Sequence, residues 1–339
     1  MNCPACGTGA APRLRETHRD PISAAEYRIF ACAGCGVEFS EPRAAVGGDW
    51  YAAAAPLRLS EFDRAPRKDL RFAAFFAERL SPGSLLDVGC GDGGFLLLAR
   101  ERGWQVAGFD YDERVAAAAR AAGLPDVSSQ EFAEFVRGRA AGEFDAVTLF
   151  DVLEHMPEPL RFLQELKRLL KPGGVIAVTF PNARRPMPWG RELHDYPPHH
   201  FTRWTGDVLR GFLERNGFSI IRLEDRRLRV YYFAEHLFFY GVMRRLLPVI
   251  KRLLFGAAAG AESVSQLYAA DAANTRCGLR GAFSGKEARH RWVTALKRSL
   301  AVFIYPVAFC MAVYFRLTRR RCGEHIFALA RLNVRREKV

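Results

Sequence analysis

The chain has 339 residues, a formal net charge of +13 and 49% hydrophobic residues. That is ample material for a buried core, and the length suggests two or three domains. Met1-Asn2-Cys3-Pro4 carries neither a basic flank nor an apolar run, so no targeting peptide is expected. The setting is then cytoplasmic and the eight cysteines are expected to be reduced, which argues against a disulfide scaffold.

The N-terminal segment holds two knuckles, Cys3-Pro-Ala-Cys6-Gly7 and Cys32-Ala-Gly-Cys35-Gly36, separated by 25 residues. Four thiolates at this spacing can converge tetrahedrally on one structural Zn²⁺, and the glycine after each pair lets the backbone turn back towards the sulfurs. Tyr27 to Ala31 reads as a short strand entering the second knuckle. A closed four-thiolate site is expected to support the fold and to do no chemistry. Residues 1–48 are thus expected to be a zinc ribbon. Cys90, Cys277, Cys310 and Cys322 lack paired spacing and read as packing residues. Residues 49–80, with Asp49-Trp50-Tyr51 and with Phe72, Phe75, Phe76 and Leu80 at helical spacing, read as linking helices that pack on the following domain.

The most informative stretch follows. Ser84 to Val88 is a buried apolar run that ends in Gly89-Cys90-Gly91-Asp92-Gly93-Gly94, and Phe95 to Arg102 reads as a helix. A second run, Gln105 to Phe109, ends in Asp110. In a doubly wound sheet this layout sets a ligand over the carboxyl end of the first strand and brings the second strand's carboxylate to a ribose hydroxyl. Gly89, Gly91 and Gly94 satisfy G-x-G-x-x-G, which alone leaves a dinucleotide site open. Asp87 and Asp92 would repel a pyrophosphate, which wants bare N–H groups. The same carboxylates suit the ammonium and sulfonium groups of S-adenosylmethionine.

Residues 144–150 read as a strand running into Asp151-Val-Leu-Glu154-His155-Met-Pro157. Leu160 to Leu170 has the apolar spacing of an amphipathic helix, stopped at Lys171-Pro-Gly-Gly174. Val175 to Phe180 reads as the next strand. Five motifs in order, D-V-G-C-G-D-G at 87–93, G-F-D at 108–110, F-D-A-V at 144–147, L-E-H-M-P at 153–157 and K-P-G-G at 171–174, resemble the class I S-adenosylmethionine-dependent methyltransferases. The resemblance covers roughly Ser81 to Asp225. It extends back to Cys3, because many bacterial small-molecule and sugar methyltransferases carry a similar ribbon. It implies a Rossmann-like, seven-stranded α/β sheet. It also implies Asp87, Gly89 and Gly91 around the methionine part of the cofactor, Asp110 on the ribose and Tyr111 near the adenine, with Phe150 counted among the cofactor residues.

A proline-rich loop, Pro181 to Trp189 and His194-Asp195-Tyr196-Pro-Pro-His199-His200-Phe201-Thr202, is too long and aromatic for a plain connector. It should hang over the strand ends where the acceptor sits. Methyl transfer mainly requires alignment of the nucleophile, and an oxygen or nitrogen acceptor usually also loses a proton, for which histidine titrates in the useful range. His200 matches a histidine that the family often places here. It is the leading candidate for base or acceptor ligand, with His199 and His155 behind it. The alternative is a loop-holding histidine. Asp151, Glu154 and His155 could also gather on one helical face as an oxygen–nitrogen metal site; the plainer reading is loop structure beneath the cofactor.

Thr205 to Asn216 reads as a helix closed by Gly217, Phe218 to Leu223 as a strand, and Gly323 to Arg331 as the final strand of the sheet. The catalytic domain is then 81–227 plus 323–335, and 228–322 is a helical insertion. This insertion holds 16 Lys/Arg against 4 Asp/Glu, which accounts for +12 of the chain's +13. It also holds the apolar segments Phe233 to Phe255 and Ser299 to Phe315, the latter seventeen residues without a charge and flanked by basic residues. As a helix Ser299 to Phe315 would span about 25 Å, short of the roughly 30 Å hydrocarbon core, and Pro306 should interrupt it. A crossing would also separate residues 323–331 from their sheet. Lying on an anionic membrane surface satisfies these constraints. A buried subdomain or a dimer interface is the alternative.

The expected activity is methyl transfer from S-adenosylmethionine to a small-molecule, sugar or lipid-linked acceptor, most often at oxygen, with the enzyme cytoplasmic and peripheral on the inner face of a membrane. RNA is the runner-up acceptor: an RNA face would carry basic and aromatic residues without long apolar runs. A membrane-docked, non-enzymatic binding protein with the same fold is a further alternative.

Overall fold

The computed structural model describes residues 1–44, 69–187, 191, 195–226, 229–238, 286–318 and 322–334. Asp49 to Tyr51, Trp189, His194, Cys277 and most of the insertion between its two ends lie outside the described residues.

A seven-stranded sheet forms the centre. Its strands are β4 (Ser84–Val88), β5 (Gln105–Phe109), β6 (Val127–Ser128), β7 (Phe144–Phe150), β8 (Leu170–Pro181), β10 (Phe218–Asp225) and β11 (His325–Leu332). They run in the order β10-β11-β8-β7-β4-β5-β6. β4 is parallel to both β5 and β7, and β7 is parallel to β8, whereas β11 lies antiparallel between β8 and β10. The expected final strand therefore inserts next to β8, and the charged insertion leaves the sheet after β10 and returns at β11.

Period-two burial builds a core on each face of the sheet. Leu86, Val88, Val147 and Leu149 point to one face, where α4 (Phe132–Gly138) buries Phe135 and Val136, α5 (Pro159–Leu169) buries Phe162, Leu163 and Leu166, and α6 (Gly206–Arg215) buries Leu209, Phe212 and Leu213. Leu85, Ala146 and Phe150 point to the other, against Phe75 of α1 (Leu70–Ala77), Phe95 of α2 (Gly94–Arg100) and Ala116 and Ala119 of α3 (Glu113–Ala121). The linking helix expected before the sheet is α1, capped by the Asp69 carboxylate on Arg71 N–H. As expected, α5 stops just before Lys171-Pro-Gly-Gly174; β8 already begins at Leu170, and Gly173, with φ of +78°, lies in a register shift between the residues paired with Phe144 and Ala146 of β7.

The N-terminal segment forms β1 (Arg13–Arg19), β2 (Glu26–Ala31) and β3 (Glu38–Glu41). This small sheet is completed by β9 (Thr202–Arg203), which comes from the end of the proline-rich loop and pairs with β3. Cys3, Ala5, Phe30, Val37 and Phe39 share one core with α5 and α6, and Leu160 N–H donates to Pro4 C=O at 3.2 Å. Ribbon and catalytic sheet are thus bound into each other.

Of the insertion, α7 (Val230–His236) and the 33-residue α8 (Lys286–Thr318) are described. Pro306 does not interrupt α8, contrary to expectation; the helix runs through it for about 50 Å at 1.5 Å per residue. Phe233 and Ala234 of α7 bury against Ala308 and Ala312 of α8, with Phe233 stacked on Phe315 at 5.4 Å between centroids. Val302, Phe303, Val307, Phe309, Tyr314 and Leu317 on the same helix stay exposed.

Candidate active site

The sheet order reverses beside β4, whose neighbours β5 and β7 lead to opposite halves, and ligands of such sheets bind at the carboxyl ends of the strands there. The loop after β4 is held against β5: Gly89 N–H and Cys90 N–H both donate to Phe109 C=O, at 2.7 and 3.1 Å. Gly89 and Gly91 take positive φ, +77° and +55°. A Cβ at Gly89 would lie 2.5 Å from Val152, whereas one at Gly91 would meet nothing within 4 Å. Gly89 is thus required by packing, and Gly91 borders open space.

Asp110 stands at the end of β5. Its carboxylate accepts from Gly91 N–H at 2.9 Å and from Asp112 N–H at 3.0 Å, tying the glycine loop to the strand that follows. Burial raises its carboxyl above the ordinary value, and the two N–H donors act in the opposite sense. Tyr111 beside it is exposed. Asp87 is buried within β4, where Thr148 O–H donates to its Oδ1 at 2.6 Å. Burial, with Asp110 adding repulsion, pushes Asp87 up to about 7 despite Thr148. Two neighbouring carboxyls raised in this way favour a positively charged ligand. This chemistry, with the space at Gly91, fits S-adenosylmethionine. Asp92 instead accepts from Gly94 N–H and serves the turn into α2. The Phe150 ring packs in the core at the end of β7, with its centroid 4.8 Å from that of Phe95 and 5.2 Å from that of Phe72.

The loop after β7 carries the second half of the site. Asp151 has φ of +58°, a conformation that non-glycine residues adopt at a cost. It is fixed by Arg71 Nη1 at 2.6 Å and by Thr179 O–H at 2.9 Å. Burial would raise its carboxyl, but Arg71, with His325 and Thr179, outweighs burial and holds it down at about 2. Arg71 also pairs with Asp69, and was not singled out by sequence because its partner lies 80 residues away. Glu154 is buried with neither carboxylate oxygen hydrogen-bonded among the described residues, and burial with the nearby Asp151 raises its carboxyl well above the ordinary value.

The proposed oxygen–nitrogen grouping of Asp151, Glu154 and His155 is not what the structure assembles. His155 joins His199 and His200, the three offering ligand atoms that all lie within 4.8 Å of one another. Two backbone contacts bring the loops together: Phe201 N–H donates to Glu154 C=O at 2.9 Å, and Thr202 pairs with Phe39 in the ribbon sheet. Asp195, at 1% exposure, pairs with the buried Arg185 and lies 3.4 Å from His200 Nδ1. Sequence reading placed Asp195 in the loop without showing that it faces His200.

The ribbon cysteines converge as expected. Cys3 Sγ and Cys35 Sγ lie 3.7 Å apart, as do Cys6 Sγ and Cys32 Sγ, and all four lie within 4.8 Å of one another. A tetrahedron with Zn–S arms of about 2.3 Å has edges of about 3.8 Å. Gly7 and Gly36 take positive φ, and their N–H groups donate back to Cys3 and Cys32 C=O, closing each knuckle. The set fits a four-thiolate ion.

Residues 60–223 match the family described as methyltransferase domain. That segment is a methyltransferase domain. Among curated proteins, the methyltransferase domain is similar to a ubiquinone biosynthesis O-methyltransferase of Pseudomonas paraeruginosa, with 34% identity over 104 residues, 30% of this chain and 45% of the relative. It is also similar to a probable S-adenosylmethionine-dependent methyltransferase of Mycolicibacterium smegmatis, with 34% identity over 146 residues, 42% of this chain and 55% of the relative. The chain thus spans about half the length of these relatives. A solved methyltransferase from Archaeoglobus fulgidus aligns over 84% of this chain and all of its own, at 14% identity and a TM-score of 0.47.

Proposed function

We propose that the protein transfers a methyl group from S-adenosylmethionine to a small-molecule, sugar or lipid-linked acceptor, at oxygen. The observation that carries this reading is the hydrogen bond from Gly91 N–H of the open glycine loop to Asp110, with the buried Asp87 carboxyl raised at the end of the neighbouring strand, in a domain of methyltransferase type. Asp110 would hold the ribose hydroxyls, Asp87 and the Gly89–Gly91 turn the methionine part, and Tyr111 the adenine. The cofactor supplies a methyl group on a sulfonium, and the protein's part is to align the acceptor and handle its proton. The histidine cluster, with Asp195 behind His200, would then receive the acceptor. O-methylation is supported by the ubiquinone-pathway relatives, over 30% of the chain.

The exposed apolar side of α8 supports a membrane-facing role for the insertion. Phe303, Phe309 and Leu317 are exposed on a helix bounded by basic sequence, in a region of +12 charge. Such a helix can lie along an anionic surface with its apolar side among acyl chains, at about 1 kcal/mol of attraction per basic residue. A lipid-linked acceptor would then reach the site from the inner membrane face. The ribbon is proposed to hold a structural Zn²⁺.

Isothermal titration with S-adenosylmethionine tests the activity reading: wild type should bind and Asp110→Ala should not. Equal binding by both overturns the site assignment. Mass spectrometry of lipid and sugar extracts, with and without active protein, should show a methyl-sized mass difference in one class of extract. A methylated RNA in place of these would favour the RNA reading. Flotation with anionic vesicles should carry the full chain upward at low salt, and failure to float would favour an internal or dimeric role for α8.

A further inference from the structure

The three histidines sit in segments 44 residues apart, yet their rings meet pairwise. His155 approaches His199 and His200 edge-on at centroid distances of 4.6 and 4.8 Å, and His199 stacks on His200 at 4.6 Å. Clustered imidazoles are a poor arrangement for protonated side chains, which would repel, and a good one for neutral ligands around a cation.

The hydrogen bonding around them selects the ligand tautomer. His155 Nδ1 lies 2.7 Å from His199 C=O, and a carbonyl only accepts, so Nδ1 carries the proton and Nε2 keeps its lone pair. The Asp195 Oδ1 lies 3.4 Å from His200 Nδ1, so a carboxylate stands beside the far nitrogen of that ring as well. A carbonyl or carboxylate on the far nitrogen is the usual support of a metal-bound histidine, since it fixes the ring and raises its basicity. Asp195 is itself held by the buried Arg185, so the support is rigid.

We propose that His155, His199 and His200 form a binding site for one divalent late transition ion such as Zn²⁺, Co²⁺ or Ni²⁺. This rests on the methyltransferase reading only for its purpose, not for its existence. Imidazoles select such ions over Mg²⁺ and Ca²⁺, which prefer oxygen ligands. Metal–nitrogen bonds of about 2.0–2.1 Å set tetrahedral edges near 3.4 Å, so rings now within 4.8 Å would close by an ångström or so on binding. Three protein ligands leave a fourth position open, unlike the closed cysteine set. For the proposed reaction that position suits an oxygen of the acceptor, whose proton becomes more acidic on coordination. Under this assignment His200 acts as an ion ligand, and Asp195 is a positioning residue.

The test uses the full chain with its ribbon ion in place. Titration with Co²⁺ should show a second ion per chain whose visible spectrum has ligand-field bands without the thiolate charge-transfer bands of a cysteine site. His199→Ala and His200→Ala should each remove that ion while leaving the cysteine-bound one. Asp195→Asn should weaken it about 10- to 100-fold. Thermal melting of each variant reports whether it folds. Independently of any variant, Co²⁺ should protect all three histidines of wild type from diethylpyrocarbonate, read by peptide mass mapping. Absence of a second ion together with unprotected histidines overturns the proposal and leaves a packing role for the rings. S-adenosylmethionine binding measured on the same sample separates the two readings: binding without a second ion defeats only this proposal, and a second ion without cofactor binding defeats only the activity.

Discussion

Raising the pH through neutrality is expected to tighten cofactor binding, and Asp87 is the reason. Burial, reinforced by Asp110, pushes its carboxyl from 3.8 up to about 7, so near neutrality the free protein is half protonated there. S-adenosylmethionine brings a net positive charge, which favours the ionised form and lowers the bound-state value. If binding restores the ordinary value, affinity climbs about tenfold per pH unit below 7 and levels above it. Between about pH 5.5 and about pH 8.5 the gain is then roughly thirtyfold. The stability of the free protein moves oppositely. A carboxyl whose folded value is raised stabilises the fold fully below its unfolded value, and that contribution is lost as pH rises towards 7. Calorimetric titration at several pH values, in buffers of different ionisation enthalpy, counts the proton released on binding. Asp87→Asn should flatten the profile. An affinity of wild type that stays level across this range, with no proton released, refutes the placement of the cofactor's positive charge beside Asp87.

The two loop glycines should fail differently. Gly89→Ala sets a methyl 2.5 Å from Val152 at a φ of +77°, so it should lower the melting temperature as well as abolish binding. Gly91→Ala meets open space and should cost about 1–2 kcal/mol for its left-handed backbone, yet still block the cofactor, as titration will show. Asp195→Asn removes the charge facing the buried Arg185 and should cost about 3–5 kcal/mol in denaturant unfolding. Cys32→Ser should lose the ribbon ion by metal analysis and raise the acceptor KM more than the cofactor Kd, because β3 of the ribbon pairs with β9 beside the histidines.

Local patterns were legible and distant pairings were not. The strand–glycine turn–helix unit around Gly89 and the strand ending at Asp110 follow from short-range spacing, and the structure places them as read. The final strand was recognisable 100 residues downstream because His325–Leu332 is a buried apolar run. Pro306 misled, since the proline rule describes lost stability in an isolated helix and α8 is supported by its packing against α7. Lys171-Pro-Gly-Gly174 marked the end of α5 as read, but not that β8 begins at once, where Leu170 pairs with Phe144 of β7. Arg71, Thr148 and Asp195 could not be read, because each acts through a partner that only the folded chain brings near. The histidines were visible as types in suggestive loops, but their convergence depends on the Phe201–Glu154 hydrogen bond.

The ribbon gains a role from these contacts that its closed metal set alone would not give. Glu16 on β1 pairs with Arg191 and accepts from Tyr196 O–H at 3.2 Å, and His18 on the same strand stacks on the Tyr196 ring at 4.0 Å. Glu38 on β3 takes Arg203 at 2.8 Å and Arg191 at 3.5 Å. Ser40 N–H donates to Phe201 C=O at 3.0 Å. These partners bracket His199 and His200 on both sides in sequence. The histidine loop therefore hangs between two anchors, the ribbon sheet and the turn after β7, and neither cofactor loop touches the ribbon through any of these bonds. A four-thiolate ion held by Cys3, Cys6, Cys32 and Cys35 would fix the strands carrying Glu16, Glu38 and Ser40, and through them the histidine loop. Under the proposed function the division of labour follows from connectivity: the parallel sheet would position the methyl donor, and the ribbon would position the histidine loop proposed to meet the acceptor.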